Sequence, residues 1–170
     1  MEKANQVSMK DVENNLFAKK LHPMHLTIKQ VPSDGNCLYA AVADQLATNG
    51  QATTKDYYKT LRRMTAEYMR AHPDDFLPFI DHEDGIMSEP QYAEYCDNVA
   101  NTSCWGGQLE LRALVHALQT PILIHSAEPN VPTVEMGKEF ESVSKPLQIS
   151  YHRHAYSLGE HYNSIVPFVE

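Results

Sequence analysis

The spacing of apolar residues changes near residue 120, and this change limits the possible folds more than any other feature. Upstream, apolar side chains recur three or four positions apart in the segments predicted as helices, which are 37–47, 54–71, 92–99 and 108–119. Downstream, short apolar or alternating runs predict strands at 121–125, 132–136, 146–152 and 161–166. One earlier strand is predicted at residues 26–31. Helices followed by strands indicate an α+β fold, in which helices pack on a sheet, rather than a regular βαβ alternation.

Length and composition fit a globular chain with a single core. It has 170 residues, of which 42% are hydrophobic and 21% are charged. No apolar run reaches the roughly 20 residues that a membrane helix needs, and residues 1–15 contain no apolar signal core. We expect a polar N-terminal helical extension over residues 1–20, with Val12, Leu16 and Phe17 forming a narrow apolar stripe, and a main domain over residues 21–170.

Acidic residues outnumber basic ones by 22 to 14, which gives a formal net charge of −8. A protein that binds nucleic acid over a broad surface must neutralise phosphates, so this charge argues against a nucleic-acid partner. The imbalance is concentrated between Arg70 and Arg112, because no Lys or Arg occurs between them. We interpret this acidic stretch as solvated helix faces and loops or, alternatively, as a docking surface for a basic protein partner.

The three cysteines, Cys37, Cys96 and Cys104, include no CxxC pair. An odd number without a secretion signal argues against a disulfide framework and predicts a reducing compartment, the cytoplasm, with the nucleus as an additional location. Cys96 lies on the apolar stripe of its helix and is expected in the core. His152 and His154 share a strand face and could in principle bind a metal. Two ligands do not make a site, so we expect neither a metal nor another cofactor.

A tight turn at residues 33–36 places Cys37 at the first turn of a predicted helix. Free backbone N–H groups and the positive end of the helix dipole stabilise an anion there, which predicts a lowered thiol pKa. The backbone N–H groups of Asp34, Gly35, Asn36 and Cys37 are also predicted to form an oxyanion hole. The alternative is that Cys37 is a small buried apolar residue at a helix start.

A nucleophilic cysteine needs a base, and the best candidate is His161. Asn163 lies two residues further along the same predicted strand, where alternate side chains project to one face about 6.6 Å apart. Its amide oxygen can therefore reach the imidazole and fix which nitrogen carries the proton. Cys37, His161 and Asn163 then have the roles of nucleophile, base and orienting residue. Taken singly, His161 also fits an edge-strand histidine and Asn163 a strand-end turn residue.

Three motifs in a fixed order resemble those of a known family. They are Asp34-Gly35-Asn36-Cys37-Leu38-Tyr39, then Trp105-Gly106-Gly107 followed by Leu109-Glu110, and finally His161-Tyr162-Asn163-Ser164. On these motifs the chain resembles the ovarian-tumour (OTU) domain cysteine proteases over about residues 24–167. Within that family it is most similar to the OTUD6 and yeast Otu2-like branch.

The resemblance implies a papain-like fold, with a small mixed sheet packed between helices and residues 21–170 as the catalytic domain. It implies a deubiquitinase that hydrolyses the isopeptide or peptide bond after the C-terminal glycine of ubiquitin, through a thioester on Cys37. By position, His161 is the general base and acid, Asn163 the orienting residue, and Asp34 the loop aspartate that supports the oxyanion hole. The implied partner is ubiquitin or polyubiquitin. No membrane partner is expected, and the expected state is a monomer.

Trp105 and Gly106 match a family motif beside the active site, and we interpret Trp105 as a core or cleft-wall aromatic with a structural role. Two functional alternatives stay open: an OTU-like module that binds ubiquitin but is catalytically latent, and a protease for a ubiquitin-like modifier. The acidic stretch is a candidate surface for the body of ubiquitin. Charge reversal at Asp81, Glu83 and Asp84 would test it.

Overall fold

The computed structural model describes residues 9–51, 53–80, 85–156 and 159–168. Its helices are α1 Met9–Leu21, α2 Cys37–Thr48, α3 Tyr57–Ala71, α4 Pro73–Phe76, α5 Glu89–Asn101 and α6 Gln108–Leu118. Its strands are β1 Leu26–Lys29, β2 Ile122–Ser126, β3 Val134–Met136, β4 Leu147–Tyr156 and β5 Gly159–Pro167. These elements confirm the predicted change from helices to strands near residue 120. β4 extends to Tyr156, past its predicted end at residue 152.

The five strands form one mixed sheet in the order β1-β5-β4-β2-β3. β2 and β4 are parallel, and the other three pairings are antiparallel. β5 therefore lies between the first strand and β4, with Leu26 opposite Pro167 and His152 opposite His161. The register of β4 and β5 becomes irregular between His152 and Tyr156.

Helices cover both faces of the sheet, which confirms the predicted small mixed sheet between helices. Successive strand residues point to opposite faces. On one face, Ile149 and Tyr162 join the main core, to which α2 and α6 contribute. On the other face, Ile165 packs with Phe17 and Leu21 of α1. A third cluster joins α3, α5 and α6 and contains Cys96, as expected from the sequence; its buried members are Ala66, Met69, Phe76, Ile80, Tyr92, Cys96, Val99 and Ala113.

The face that α1 buries agrees with the predicted apolar stripe at Phe17 and Leu16, which pack on the sheet, but not at Val12, which is 36% exposed. Glu13, Phe17 and Leu21 are each at most 5% exposed and lie one helical turn apart. The buried face contains the Glu13 carboxylate, which a search for apolar spacing cannot find. α1 packs on the sheet, and the proposed boundary between residues 20 and 21 stays a prediction. Among the described residues, no helix has the length and apolarity to cross a membrane.

Candidate active site

Cys37 begins α2 after a turn that depends on close backbone packing. The Asp34 carboxylate accepts a hydrogen bond from the Asn36 N–H at 2.9 Å, which closes an Asx turn. A Cβ atom at Gly35 would lie 1.5 Å from the carbonyl oxygen of Ser103. Glycine is therefore required at position 35 because the loop before α6 approaches the cysteine turn so closely.

His161 and Asn163 lie on one face of β5 and are joined by a short hydrogen bond. His161 Nε2 and Asn163 Oδ1 are 2.7 Å apart. The backbone N–H of Val31, which follows β1, donates to the same Asn163 Oδ1 at 2.9 Å. Neither His161 nor Asn163 is more than 2% exposed. The sheet order places the residues after β1 next to β5, and this explains how position 31 can hold the side chain of position 163.

The Cys37 sulfur accepts a hydrogen bond from the backbone N–H of Tyr162, the residue that follows His161. This contact joins the start of α2 to the segment of β5 that carries the candidate base. The structure thus brings Cys37, His161 and Asn163, which are far apart in the sequence, into one region. Their assignment as nucleophile, base and orienting residue stays a prediction, which we take up below.

The proton positions of the pair follow from the Val31 contact. A backbone N–H can only donate, so the Asn163 atom that it meets is the amide oxygen. That oxygen must then accept from His161, which requires the proton of the neutral imidazole to lie on Nε2. Nδ1 of His161 is therefore the nitrogen that can take a proton from a thiol.

The predicted lowering of the Cys37 pKa is wrong for this conformation. Burial raises the pKa of the Cys37 thiol, since the residue is 1% exposed and a thiolate would lose its hydration. The backbone N–H groups of Tyr162 and Leu38 oppose this effect, and the negative charge of Asp34 adds to it. In this conformation burial therefore favours the neutral form of the Cys37 thiol, and a base would help a thiolate to form.

The predicted oxyanion hole is not preformed in this conformation. Three of the four N–H groups assigned to it are bonded within the loop: Asp34 N–H donates to the Pro32 carbonyl at 3.0 Å, Asn36 N–H to the Asp34 carboxylate, and Cys37 N–H to the Asp34 carbonyl at 3.2 Å. A developing oxyanion would have to displace these internal acceptors. The loop must therefore rearrange before it can bind negative charge through these groups.

Arg62 on α3 holds the cysteine loop, and the sequence analysis did not identify it. Its guanidinium is buried and donates to Asn36 Oδ1 at 2.8 Å, to the Gly35 carbonyl at 2.9 Å and to the Cys104 carbonyl at 2.6 Å. It also lies over the ring of Tyr39, 4.4 Å from the ring centre. An arginine within a helical spacing pattern usually lies on a solvated face. The cysteine turn lies more than twenty residues away from Arg62 in the sequence, so a local pattern could not reveal this role.

Of the two positions predicted for the Trp105 ring, core and cleft wall, the structure argues against the core, and the cleft wall stays a prediction. Trp105 is 41% exposed and is not part of the core. The residue of this motif that packs closely on α2 is Gly106, because a Cβ atom there would lie 2.8 Å from Leu38 Cδ2. Glu110 then holds the motif, because its carboxylate accepts from the Gly107 N–H at 2.8 Å and from the Tyr95 hydroxyl at 2.6 Å.

The acidic stretch contains residues of two kinds. Glu110 is 4% exposed and holds the tryptophan motif, so it does not belong to any acidic surface. The described acidic residues that are exposed are Asp74, Asp75, Glu89, Glu94 and Asp97. Asp97 pairs with Arg70. The positions chosen for charge reversal, Asp81, Glu83 and Asp84, lie outside the described residues.

His152 is buried and contacts two polar side chains of the protein. It is 1% exposed, and its Nε2 contacts Ser150 Oγ at 2.7 Å and the Asn163 amide nitrogen at 3.2 Å. These partners lie at one of its two ring nitrogens. Within the described ranges, no group of three or more metal-ligating residues is present.

The arrangement supports acyl transfer. When a thiol and an imidazole come into contact, proton transfer can give a thiolate, and an amide oxygen bonded to the imidazole stabilises the imidazolium that results. Proton return to a leaving amine from the same nitrogen would complete the first half of an amide hydrolysis.

Comparisons with known proteins agree with this chemistry. The sequence profile of the family described as "OTU-like cysteine protease" matches residues 32–162. The chain is 47% identical over 167 residues to "Deubiquitinase OTUD6B" of Mus musculus, covering 97% of this chain and 54% of that protein. It is 33% identical over 159 residues to "Ubiquitin thioesterase otu2" of Schizosaccharomyces pombe, covering 93% of this chain and 51% of that protein. The chain therefore spans about half the length of the curated relatives it matches.

Solved structures give the same fold. The structure described as "Structure of OTUD1 OTU domain" superposes with a TM-score of 0.68 at 25% identity, covering 92% of this chain and 95% of that chain. An OTU domain solved "in complex with Ubiquitin" superposes with a TM-score of 0.57 at 20% identity, covering 82% of this chain and 69% of that one. The resemblance inferred from the three motifs, including the OTUD6 and Otu2-like branch, is confirmed. The chain belongs to the OTU family of cysteine proteases.

Proposed function

We propose that this chain is a cysteine-type deubiquitinase that hydrolyses the isopeptide or peptide bond after the C-terminal glycine of ubiquitin. The observation that carries the proposal is the contact of the Cys37 sulfur with the Tyr162 N–H, directly beside His161 and its Asn163 partner. Relatives named as deubiquitinases align with 97% of the chain, which supports ubiquitin as the substrate rather than another protein.

In the proposed reaction, Cys37 is the nucleophile. His161 takes the thiol proton at Nδ1, and the sulfur attacks the carbonyl carbon of the terminal glycine of ubiquitin. The tetrahedral intermediate then breaks its C–N bond, and His161 returns the proton to the leaving amine. Water, deprotonated by His161, hydrolyses the resulting thioester and regenerates the thiol.

A groove beside β5 is suited to an extended peptide. It has a volume of about 490 Å³, and its lining includes Gly107, Gln108, Tyr151 and Tyr162. Tyr162 lines this groove, and its backbone N–H contacts the Cys37 sulfur, so the groove and the cysteine turn meet at the same strand. The small glycines of a ubiquitin tail would fit such a passage.

The closed state of the site favours one second candidate, a latent module that binds ubiquitin without cleaving it. Cys37 is buried, its pKa is raised, and the N–H groups of its loop are bonded internally. Binding of ubiquitin would have to open the loop before catalysis. If that opening needs a further partner, the chain alone would bind ubiquitin and show no turnover.

The decisive experiment uses ubiquitin that carries a C-terminal electrophile, with intact mass as the readout. We expect a single covalent adduct on the chain, and no adduct on the Cys37→Ser variant. The same electrophile on a ubiquitin-like modifier serves as the specificity control, and we expect it to react much more slowly.

Each other outcome would replace the proposal by a defined alternative. Preferential reaction with the other modifier would identify a protease for that modifier. A folded sample that binds ubiquitin in calorimetry but forms no adduct would identify the latent module. If the folded sample neither binds ubiquitin nor reacts with it, this result contradicts ubiquitin as the substrate.

A further inference from the structure

A buried polar chain continues behind Asn163 and ends on α1. His152 Nε2 lies 3.2 Å from the Asn163 amide nitrogen, and His152 Nδ1 lies 3.6 Å from a carboxylate oxygen of Glu13. The other carboxylate oxygen of Glu13 accepts from the Arg153 backbone N–H at 2.9 Å. Glu13, His152 and Asn163 are each at most 5% exposed. None of the three catalytic roles above uses Glu13 or His152.

The direction of the hydrogen bonds links these residues to the candidate base. The Val31 N–H fixes the Asn163 oxygen on the side of His161, so the Asn163 amide N–H must point at His152 Nε2. Nε2 can accept only when it carries no proton. The proton of neutral His152 therefore lies on Nδ1, the atom that faces the Glu13 carboxylate. Each assignment follows from the preceding one.

We propose that Glu13 and His152 are positioning residues of the active site, which act through Asn163 to hold the His161 imidazole. This inference rests on the proposed function, because it concerns the same reaction. The Glu13 carboxylate favours the His152 tautomer with its proton on Nδ1. That tautomer provides the acceptor for the Asn163 amide, and the amide oxygen is then directed at His161 Nε2.

The side-chain amide of Asn163 is nearly symmetric in shape. A side-chain amide can rotate by half a turn and exchange its oxygen for its nitrogen at almost no steric cost. With nitrogen toward His161, the amide would favour the imidazole tautomer with its proton on Nδ1, which cannot accept the thiol proton. Two contacts oppose that state: the Val31 N–H requires the oxygen on the side of His161, and His152 supplies an acceptor for the amide nitrogen on the far side.

The surroundings of His152 hold the ring in this orientation. Phe17 of α1 packs on it with ring centres 4.6 Å apart, and Ser150 Oγ lies 2.7 Å from its Nε2. His161 on β5 is the other titratable neighbour, with ring centres 5.9 Å apart. A buried carboxylate is costly unless it is paired, so the place of Glu13 on the inner face of α1 calls for a specific partner.

A double-mutant cycle tests whether His152 acts through Asn163. We expect His152→Leu, which removes the acceptor, to lower kcat for a ubiquitin-derived fluorogenic substrate by about 10- to 100-fold with little change in KM. His152→Gln retains an acceptor oxygen and should recover most of that loss. In an Asn163→Ala background, His152→Leu should change kcat by less than about twofold. Additive effects, or a Gln variant as slow as the Leu variant, would overturn the proposal.

A second readout does not depend on turnover. Imidazole nitrogen shifts in an NMR spectrum of histidine-labelled protein report the tautomer of each ring. We expect His161 protonated on Nε2 in the unmodified chain and a mixture of tautomers in the His152→Leu and Glu13→Ala variants. An unchanged His161 tautomer in both folded variants would contradict the proposal, even if the chain proves inactive toward ubiquitin and the proposed function fails.

Leu21→Val provides the matched control on the same helix. Leu21 is buried in the apolar cluster with Phe17 and Ile165 and is not part of the polar chain. This variant should lower the melting temperature while leaving kcat and the His161 tautomer unchanged. If Leu21→Val reduces kcat as much as Glu13→Ala does, loss of helix packing alone explains the effect of Glu13→Ala, and the proposal fails.

Discussion

At the scale of single residues, the site is defined by burial as much as by residue type. Cys37, His161 and Asn163 are all nearly inaccessible to solvent. A buried thiol favours its neutral form, whereas a nucleophile must be charged. The two requirements are reconciled only if proton transfer to His161 and opening of the cysteine loop accompany substrate binding.

The acidity of Cys37 can be measured with a small alkylating reagent. Because the pKa of an acid is raised when its neutral form is favoured, the thiolate fraction of native Cys37 at pH 7 is below that of an unfolded chain. We expect the alkylation rate to rise with pH, with a midpoint above that of the denatured protein. Peptide mass analysis separates Cys37 from Cys96 and Cys104. A midpoint below the denatured value would show that the resting cysteine is already a thiolate.

Substitution of Asn163 should reduce activity less than substitution of His161. His161→Ala removes the base and should abolish turnover, as Cys37→Ser should, with the fold preserved. Asn163→Ala removes only orientation and stabilisation, so we expect a loss of kcat/KM of about tenfold to a thousandfold. Equal losses for Asn163→Ala and His161→Ala, or full activity of Asn163→Ala, would contradict the orienting role.

At the scale of elements, the site depends on loops that are held by neighbouring helices. Arg62 connects α3 to the cysteine turn and to the loop before α6. The Arg62→Met variant leaves several buried oxygens without donors, and we expect a loss of about 3 kcal/mol or more in unfolding free energy. The exposed neighbour gives the control, since Arg63→Met should cost less than about 0.5 kcal/mol. Similar losses in urea unfolding for both variants would show that the loop contacts contribute little.

The contact between the two loops is equally specific at Gly35. An alanine there would place Cβ 1.5 Å from the Ser103 carbonyl oxygen, whereas at Gly107 the nearest atom is 3.8 Å away. We expect Gly35→Ala to shift the backbone of the cysteine turn, which lowers both the melting temperature and the rate of adduct formation. Gly107→Ala should leave the melting temperature within a few degrees. A Gly35→Ala variant with the original stability would show that the loops are not in close contact in solution.

The elements themselves could be predicted from the sequence, and the supports of the site could not. Apolar spacing located α2 and the strands, and the three motifs pointed to Cys37, His161 and Asn163 as site candidates, because these patterns are local. The roles of Arg62, Glu13 and His152 depend on partners that are distant in sequence. A buried polar residue and a solvated one look alike in a spacing pattern, so only the tertiary fold separates them.

The conformation of the cysteine loop could not be predicted from the sequence either. The turn residues at positions 33–36 indicated free N–H groups at a helix start. In the structure, the Asp34 carbonyl and carboxylate accept from two of them. The competition between an internal acceptor and a substrate oxyanion is decided by small differences in loop geometry, which composition does not specify.

At the scale of the whole molecule, α1 is joined to the sheet by both apolar and polar contacts. Phe17 is 1% exposed and packs on the face of the sheet that carries His152. We expect Phe17→Ala to reduce the unfolding free energy by about 3–5 kcal/mol in a single transition. Val12→Ala, on the exposed side of α1, should be nearly neutral. Two separate transitions would instead support residues 1–20 as an independent extension.

The strand order has a consequence for the time at which the site is completed during synthesis. β5 is the last strand of the sheet along the chain, yet it pairs with β1, the first, and it carries both His161 and Asn163. During synthesis, the cysteine turn emerges from the ribosome long before its base, and contacts so distant in sequence form late in folding. With the roles proposed above, a growing chain therefore carries the nucleophile before its base, and the site is incomplete until residues 159–167 have been made and inserted between β1 and β4.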